Sequence, residues 1–295
     1  MRYLLVLITV WVVWIIQVNQ PVSRTPDSDA YQYAAMTWRE SGEMVYERWS
    51  ITRVKDPYFW VTPPNTAMTW WTPLYPALLA IGERCGLTVN QTALWLNLLS
   101  ITWIVWIVDC GLTVWGVPPD THIVVWCILL FSSVMRWHIS AVMSDLPFAA
   151  LALGFVFALI QRWTIAALIG LAWALTMLRY NGAVFLVTGI IGLGLDRRYR
   201  GALAFGLLAG IPLTLYLFRN WILTDTLMGV RFASDLSILD MWRDFGVVAS
   251  AWLWDIIWIG GLTYGTLAVG HRLARMRLFA IYDPIRLKQR NQPLR

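Results

Sequence analysis

The sequence predicts an all-α protein that crosses a membrane about eight times. Hydrophobic residues make up 58% of its 295 residues and the mean hydropathy is +0.58, whereas soluble domains are about 45–50% apolar. Charged residues are only 14% of the chain and cluster between long apolar runs, as in polytopic membrane proteins. The 20 Trp residues suit both the membrane interface, where indole rings prefer the headgroup level, and packing between helices.

Eight apolar runs form the predicted spans. The first follows Arg2 and has no small-residue cleavage site after it, so we interpret it as an uncleaved anchor rather than a signal peptide. An even number of spans places both termini on the same side of the membrane. The spans cover approximately residues 3–18, 91–115, 121–138, 145–161, 164–179, 182–195, 201–218 and 246–270.

Basic residues orient these spans. The tail 271–295 holds seven Arg or Lys against one Asp, and Arg162 and the loop DRRYR (196–200) fall on the same side. By the positive-inside rule this side is the cytoplasm, so we expect cytoplasmic N- and C-termini in the inner membrane of a bacterium. The tail has no folded domain around it, so it predicts contact with membrane lipids and no nucleic-acid partner.

Residues 21–89 form the predicted first external loop of a single transmembrane domain, 1–295. Its polar part, 21–72, holds six acids and five bases. A helix is predicted after Pro26, because apolar residues recur at three- and four-residue spacing from Tyr31 to Trp38. The segment TPLYPALLAIGERCG is too short and too rich in Pro to span, which predicts an interfacial or partly re-entrant helix.

Four polar segments converge on the external side in this topology: 21–72, 136–145, 178–182 and 219–244. Charges near membrane depth are costly, so they usually line a cavity or a pathway. The converging side chains are Asp27, Asp29, Arg136, His138, Asp145, Arg179, Arg219 and Arg231.

Acids and arginines on one membrane face suit group transfer to a hydroxyl or an amine. A carboxylate in a partly desolvated site has a raised pKa and can act as the base. The planar fork of Arg grips a leaving phosphate through two hydrogen bonds.

Each of these residues also has a structural interpretation. Asp27 or Ser28 suits the N-cap of its helix, Asp29 suits the first turn, and Asp145 suits the cap of its span. Arg179 and Arg219 at span ends suit snorkelling to headgroups, and His138 suits the interface. Asp109 lies near the cytoplasmic end of its span, where it would reach water. Cys85, Cys110 and Cys127 have the spacing of neither a metal cluster nor a redox pair. No metal site or cofactor is predicted, and a requirement for a divalent cation stays an open alternative.

Five segments in order resemble the GT-C superfamily of integral-membrane glycosyltransferases, whose members include protein O-mannosyltransferases and lipid A aminoarabinose transferases. The first, DSDAYQYAAMTWRESG, is similar to the family's D-S-x-x-Y-x-x-x-A pattern through Asp27, Ser28, Tyr31 and Ala35. The others are TPLYPALLA, MSDLPFAALAL, LRYNG and RNWILTDTLMG, and the resemblance covers residues 1–225. The chain departs from the family at Leu178, Asp145 and Asp109-Cys110, and we expect no C-terminal periplasmic domain.

The resemblance implies a polyprenyl-phosphate sugar donor and a catalytic Asp in the first external loop. That residue maps to Asp27, with Asp29 as the alternative. We expect transfer to an acceptor outside the cytoplasm, with Arg179 and Arg219 holding the donor phosphate. The expected sugar pocket is formed by Tyr31, His138, Asp145 and Tyr180. The rival interpretations are a lipid-linked-sugar flippase or solute transporter, and an assembly subunit without catalysis.

Overall fold

The computed structural model describes residues 25–46, 66–69, 71–225 and 227–228, together with residues 11 and 257. The described chain is mostly helical, which confirms the predicted class at that level. The predicted spans 3–18 and 246–270, Arg231 and the basic tail lie outside the described residues, apart from Trp11 and Ile257.

The described helices follow one another with short connections. Two strands of two residues each, β1 (Val45–Tyr46) and β2 (Thr66–Ala67), pair antiparallel, with Val45 opposite Ala67. The helices are α1 (Pro26–Ser41), α2 (Leu74–Arg84), α3 (Val89–Val114), α4 (Pro119–Phe131), α5 (Ser133–Ser140), α6 (Asp145–Ile160), α7 (Ile165–Leu178), α8 (Ala183–Leu195), α9 (Tyr199–Ala209) and α10 (Ile211–Thr224).

The chain divides into two compact units. Unit 1 comprises Met1–Val108 and Arg136–Ser237, and unit 2 comprises Asp109–Met135 and Ile238–Arg295. Helices α3 and α5 contribute residues to both units. The single transmembrane domain expected from the sequence stays a prediction.

Two helical stretches of the described chain are long and apolar enough to cross a membrane, judged by length and composition. They are Val89–Val114 and Tyr199–Thr224, with mean hydropathies of 1.7 and 1.9. The other apolar helices are shorter. Helix α7, for example, has 14 residues, which at 1.5 Å per residue is about 21 Å, against about 30 Å for the hydrocarbon core of a bilayer.

The predicted span 121–138 is interrupted in the structure. Helix α4 ends at Phe131, and the next residue, Ser132, has an extended backbone with φ −61° and ψ 145°. The Ser132 hydroxyl accepts a hydrogen bond of 3.1 Å from the Met135 N–H. Because this bond satisfies a free amide in the first turn of α5, the polar Ser132 starts a second helix where the sequence predicts one span.

Helices α6, α7, α8 and α9 of unit 1 run alternately up and down around an apolar core. Connections of a few residues join them, so their ends lie at two opposite levels. An ion pair marks each level: Arg179 with Asp145 at one, which we name the site end, and Arg162 with Asp196 at the other, which we name the basic end. The core residues are Phe155, Ala158, Leu168, Ile169, Ala172, Leu175, Leu193, Phe205 and Ala209.

Helices α1 and α2 share a second core with the residues around the site end. The predicted helix after Pro26 is confirmed as α1. Helix α2 has 11 residues, about 16 Å in length, which is too short to cross a bilayer. The buried residues of this core are Tyr31, Ala35, Tyr75, Leu79, Ala80, Ala93, Val142 and Leu178.

Asp109, expected to reach water, is buried in unit 2 with 1% of its surface exposed. The turn after α3 folds α4 back, so that His122 Nδ1 lies 2.7 Å from the Asp109 carboxylate. His122 Nε2 lies 3.0 Å from the Val117 carbonyl oxygen. A carbonyl oxygen only accepts, so Nε2 carries a proton. Asp109 is therefore held inside the protein by its imidazole partner, and the expectation of solvent contact was wrong.

Candidate functional site

Asp27 lies in the first turn of α1 and does not cap it. Thr25 is the N-cap, since its Oγ1 accepts a hydrogen bond of 3.1 Å from the Ser28 N–H, and Pro26 opens the helix. The expectation that Asp27 or Ser28 caps α1 was therefore wrong. Pro at the first helical position needs no hydrogen bond and fixes a helical φ. Asp27 therefore does not cap the helix, and it is half-buried.

The surroundings of Asp27 favour its neutral form. Burial raises the pKa of the Asp27 carboxyl above its ordinary value. The Arg179 guanidinium opposes this increase, the Asp145 carboxylate adds to it, and a hydrogen bond from the Trp71 side chain lowers it. Three segments that are distant in sequence therefore act on one carboxyl group, and their net effect is a higher pKa.

Asp145 and Arg179 form an ion pair at the site end. Asp145 opens α6, and Arg179 follows the last residue of α7. Arg179 Nη1 donates to Asp145 Oδ1, while Asp145 Oδ2 is buried and has no hydrogen-bond partner among the described residues. The residue before α6 is Ser144, so the capping role expected for Asp145 was wrong. The opposite charges of Asp145 and Arg179 cancel, so the pair adds no net charge to the surroundings of Asp27.

Tyr31 joins α1 to the segment before α6. Its hydroxyl lies 3.0 Å from the Ser144 hydroxyl, and both groups are buried. Burial raises the pKa of Tyr31 to about 12, so the phenol stays protonated at neutral pH. The Tyr31 ring meets Tyr75 edge-on, with 4.9 Å between centroids. Tyr31 thus lies close to Asp145 in the fold with its hydroxyl already bonded, and its place in a sugar pocket stays a prediction.

His138 is half-buried near the end of α5, and its Nδ1 has no hydrogen-bond partner in the part of the chain that the structure describes. Its backbone is held by Asn97, a buried residue of α3. Asn97 Nδ2 lies 3.2 Å from the carbonyl oxygen of His138 and 3.0 Å from those of Ile139 and Ala141. His138 and Ile139 lie in the last turn of α5, where carbonyl oxygens have no amide partner four residues on within the helix, and Ala141 follows the helix. Asn97 therefore fixes the segment that carries His138, a role that its sequence position does not reveal.

The backbone oxygens of Met68, Thr69 and Trp71, which follow β2, accept hydrogen bonds from two tyrosines, Tyr180 and Tyr216. The Tyr180 hydroxyl donates a hydrogen bond of 2.6 Å to the Thr69 carbonyl oxygen and accepts one of 3.0 Å from Asn220 Nδ2. The Tyr216 hydroxyl lies 2.8 Å from the Met68 oxygen and 3.0 Å from the Trp71 oxygen. No sequence pattern indicates these contacts. They hold the backbone from which Trp71 reaches Asp27.

Arg219 lies in different surroundings from Arg179. Its Nη1 is 3.1 Å from Asn220 Oδ1 and 3.5 Å from the Met68 oxygen, and its guanidinium lies 5.5 Å from the centre of the Tyr216 ring. Among the described residues no carboxylate pairs with Arg219. It lines a cleft of about 720 Å³, whereas the charges that act on Asp27 are those of Arg179 and Asp145.

The structure thus brings Asp27, Tyr31, Asp145 and Arg179 together, with His138 beside them. Burial has the largest effect on the pKa of the His138 imidazole, and the charges of Asp145 and Arg179 also act on it. Asp29 is partly exposed in the first turn of α1, the position expected for a residue that supports the helix dipole. Arg136 is exposed. The described residues contain no cluster of three or more His, Cys, Asp or Glu that could hold a metal ion.

No family model, curated protein or solved structure matches the chain.

Proposed function

We propose that this protein is an integral-membrane glycosyltransferase that uses a polyprenyl-phosphate sugar donor. The sugar passes to an acceptor hydroxyl or amine on the non-cytoplasmic side of a bacterial inner membrane. The observation that carries the proposal is Asp27, a half-buried carboxyl group with a raised pKa beside the Asp145–Arg179 pair. A base poised nearer neutral pH and an adjacent cation are what acid–base-assisted transfer from a phosphate requires.

The surface of the Tyr199–Thr224 stretch supports a membrane location. Large apolar side chains recur along it at three- and four-residue spacing, and a soluble protein would bury such a stripe. The exposed residues are Leu203, Leu207, Ile211, Leu215, Phe218 and Ile222. Eight spans, with the N- and C-termini in the cytoplasm, remain the proposed topology.

The distribution of charge supports an external site. Arg197 and Arg198 lie at the basic end with Arg162, opposite Asp145 and Arg179. If the positive-inside rule holds, the basic end faces the cytoplasm and the site end faces outward.

In the proposed reaction Asp27 accepts the proton of the acceptor as the acceptor oxygen or nitrogen attacks the anomeric carbon. A new bond to that carbon forms, and the bond from the carbon to the phosphate oxygen breaks. The electron pair leaves with the polyprenyl phosphate, whose charge Arg179 stabilises through its N–H groups. Asp145 orients Arg179, and Asp29 is the alternative base.

Of the two arginines expected to hold the donor phosphate, Arg179 is the one whose charge acts on Asp27, so this proposal assigns the phosphate to Arg179. Arg219 belongs to the neighbouring cleft. Tyr31, His138, Asp145 and Tyr180 remain the proposed walls of the sugar pocket. Tyr31 and Tyr180 have bonded hydroxyls, so they would contribute ring surface, while His138 Nδ1 and Asp145 Oδ2 have bonding capacity left for sugar hydroxyls.

Transfer of labelled sugar from a polyprenyl-phosphate donor, measured in proteoliposomes, tests this function. We expect turnover in the wild type and a loss of about 10²–10⁴ in Asp27→Asn, which is typical of removing a positioned base. Asp29→Asn is the matched control on the same helical turn and should retain most turnover. Movement of the intact donor across the bilayer without transfer would favour a flippase, and neither activity would favour an assembly subunit. A fully active Asp27→Asn protein would disprove the mechanism.

A further inference from the structure

The cleft beside Arg219 has the size and walls of a ligand site. Its volume is about 720 Å³, within the range of about 300–1,000 Å³ usual for small-molecule sites. The C-terminal half of α1, the start of α2 and the ends of α7 and α10 enclose it. Its apolar walls include Trp38, Leu74, Ala77, Met177 and Leu223. An aliphatic chain would bury apolar surface there.

Two opposite charges line the same cleft, Arg219 and Glu43. They are not paired with each other, and neither has an ion-pair partner among the described residues. Arg219 uses one nitrogen for its two described hydrogen bonds, so other N–H donors of its fork remain. Glu43 is exposed and follows the C-cap of α1, Gly42. The cleft therefore offers one cation and one anion to a ligand.

Along α1 the cleft lies well beyond Asp27, although its other walls include Pro73 and Met177, which are two residues from Trp71 and Arg179. The residue of α1 in the cleft that is nearest in sequence to Asp27 is Trp38, and 11 residues of helix at 1.5 Å each place it about 16 Å along the axis. A headgroup held beside Trp38 and Glu43 therefore lies about three helical turns from Asp27.

We propose that the cleft binds a zwitterionic phospholipid with a primary ammonium group, which is the headgroup chemistry of phosphatidylethanolamine. The Arg219 fork receives the phosphate, the Glu43 carboxylate accepts hydrogen bonds from the ammonium group, and an acyl chain lies along Leu74 and Leu223. Phosphatidylglycerol offers no cation to Glu43, and phosphatidylcholine has a cation without N–H donors. The inference rests on the membrane location in the proposed function and not on the transfer reaction.

Native mass spectrometry of the purified full chain tests this site without any measurement of turnover. The probes are phosphatidylethanolamine, phosphatidylcholine and phosphatidylglycerol with identical acyl chains, titrated into delipidated protein in detergent. We expect one phosphatidylethanolamine to bind on the order of tenfold more tightly than either other lipid, since two charged contacts are made instead of one. Glu43→Gln should abolish this preference while retaining a phosphate lipid, and Arg219→Gln should weaken all three.

Glu40→Gln is the matched control, because Glu40 is an exposed acid of the same helix that pairs with Arg39 and does not line the cleft. It should keep the wild-type preference. Equal affinity of the wild type for the three lipids, or an unchanged preference in Glu43→Gln, would overturn the proposal. A short polyprenyl phosphate that displaces phosphatidylethanolamine at equal concentration would also overturn it and assign the cleft to the donor.

Discussion

The hydroxyl groups of Tyr31 and Ser144 lie 3.0 Å apart in the protein interior, although 113 residues separate them in sequence. Tyr31 stands one helical turn after Asp27 on α1, and Ser144 immediately precedes Asp145 on α6. This one hydrogen bond therefore joins the helix that carries the proposed base to the helix that carries the partner of Arg179. We infer that it fixes the spacing of the two carboxyl groups.

Removing this bond should destabilise the protein. Tyr31→Phe leaves the buried Ser144 hydroxyl without its described partner, which costs about 1–3 kcal/mol for an unsatisfied buried group. The measurement is the free energy of unfolding in detergent, with Tyr199→Phe, an exposed residue, as the control. Ser144→Ala combined with Tyr31→Phe should cost less than the sum of the two single changes, since both remove the same bond. Strict additivity would show that the two hydroxyls do not interact.

The raised pKa of Asp27 predicts opposite pH trends for activity and stability. Turnover needs the carboxylate, so it should fall as the pH falls through the raised pKa, which lies above the ordinary value of 3.8. The folded state binds this proton more tightly than the unfolded state does. The group therefore stabilises the fold below the ordinary pKa, and this contribution is lost as the pH rises through the raised pKa.

Asp27→Asn should therefore raise the unfolding midpoint at pH 7, and the gain should vanish below about pH 4. Asp29→Asn is the control, because it removes a charge from the same first turn of α1 and loses the same kind of interaction with the helix dipole. Thermal unfolding of the three proteins across this pH range is the measurement. A lower midpoint for Asp27→Asn than for Asp29→Asn at pH 7 would contradict the electrostatic description of the site.

Local patterns predicted the helices of this chain better than its long-range contacts. Apolar periodicity placed α1, and the ends of α6, α7 and α8 agree with the predicted spans within one or two residues. Charge topology brought Asp145 and Arg179 to one level, where they pair. In an up-and-down arrangement, the end at which a residue lies depends only on how many helices precede it. Apolar periodicity in the sequence is enough to count those helices.

The same patterns could not identify the long-range contacts of Met68, Thr69 and Trp71. The Tyr180 hydroxyl meets the Thr69 carbonyl oxygen across 111 residues, and every residue has such an oxygen, so no sequence signal marks the acceptor. The break at Ser132 depends on one hydroxyl within an apolar run. The Asp109–His122 pair depends on how the turn between α3 and α4 folds. Tertiary contacts decided each of these features.

Gly182, in the turn LRYNG, should not tolerate a side chain. A Cβ atom there would lie 2.4 Å from the backbone carbon and oxygen of Leu175, and backbone atoms cannot move aside as a flexible side chain can. Gly182→Ala should therefore cost several kcal/mol, on the order of a severe overpacking change, and should displace Arg179 nearby. Gly194→Ala is the control, since a Cβ at that position in α8 meets nothing within 4 Å. Equal unfolding midpoints for the two variants would show that the turn is looser than described.

The proposed orientation predicts which positions a membrane-impermeant thiol reagent can reach. In a variant without the native cysteines Cys85, Cys110 and Cys127, a single cysteine at Glu40 should be labelled from outside intact cells. A single cysteine at Arg197 should be labelled only after the membrane is opened. Both residues are exposed, so access depends on the side of the membrane and not on burial. The reverse labelling would place Asp27 on the cytoplasmic side and remove the external acceptor from the proposal.

The role of Arg179 can be separated from ordinary snorkelling and from structural support. Lys keeps the positive charge and snorkels equally well, but it lacks the planar fork that gives two parallel hydrogen bonds to a phosphate. Arg179→Lys should therefore weaken the apparent affinity for the polyprenyl-phosphate donor about tenfold or more, which is roughly 1.4 kcal/mol. A lysine can still pair with Asp145, so the unfolding midpoint should change little.

Arg136→Lys is the matched control, because Arg136 was predicted on the same face but its side chain is exposed. It should titrate with donor like the wild type. Asp145→Asn completes the series, since it removes the described partner of Arg179 without touching the guanidinium. If Arg179 only ties α7 to α6, Asp145→Asn will lower the unfolding midpoint, and Arg179→Lys, which can still pair with Asp145, will leave both the midpoint and donor affinity unchanged. If Arg179 holds the phosphate, Arg179→Lys will change donor affinity first, because the loss is in hydrogen-bond geometry and not in charge.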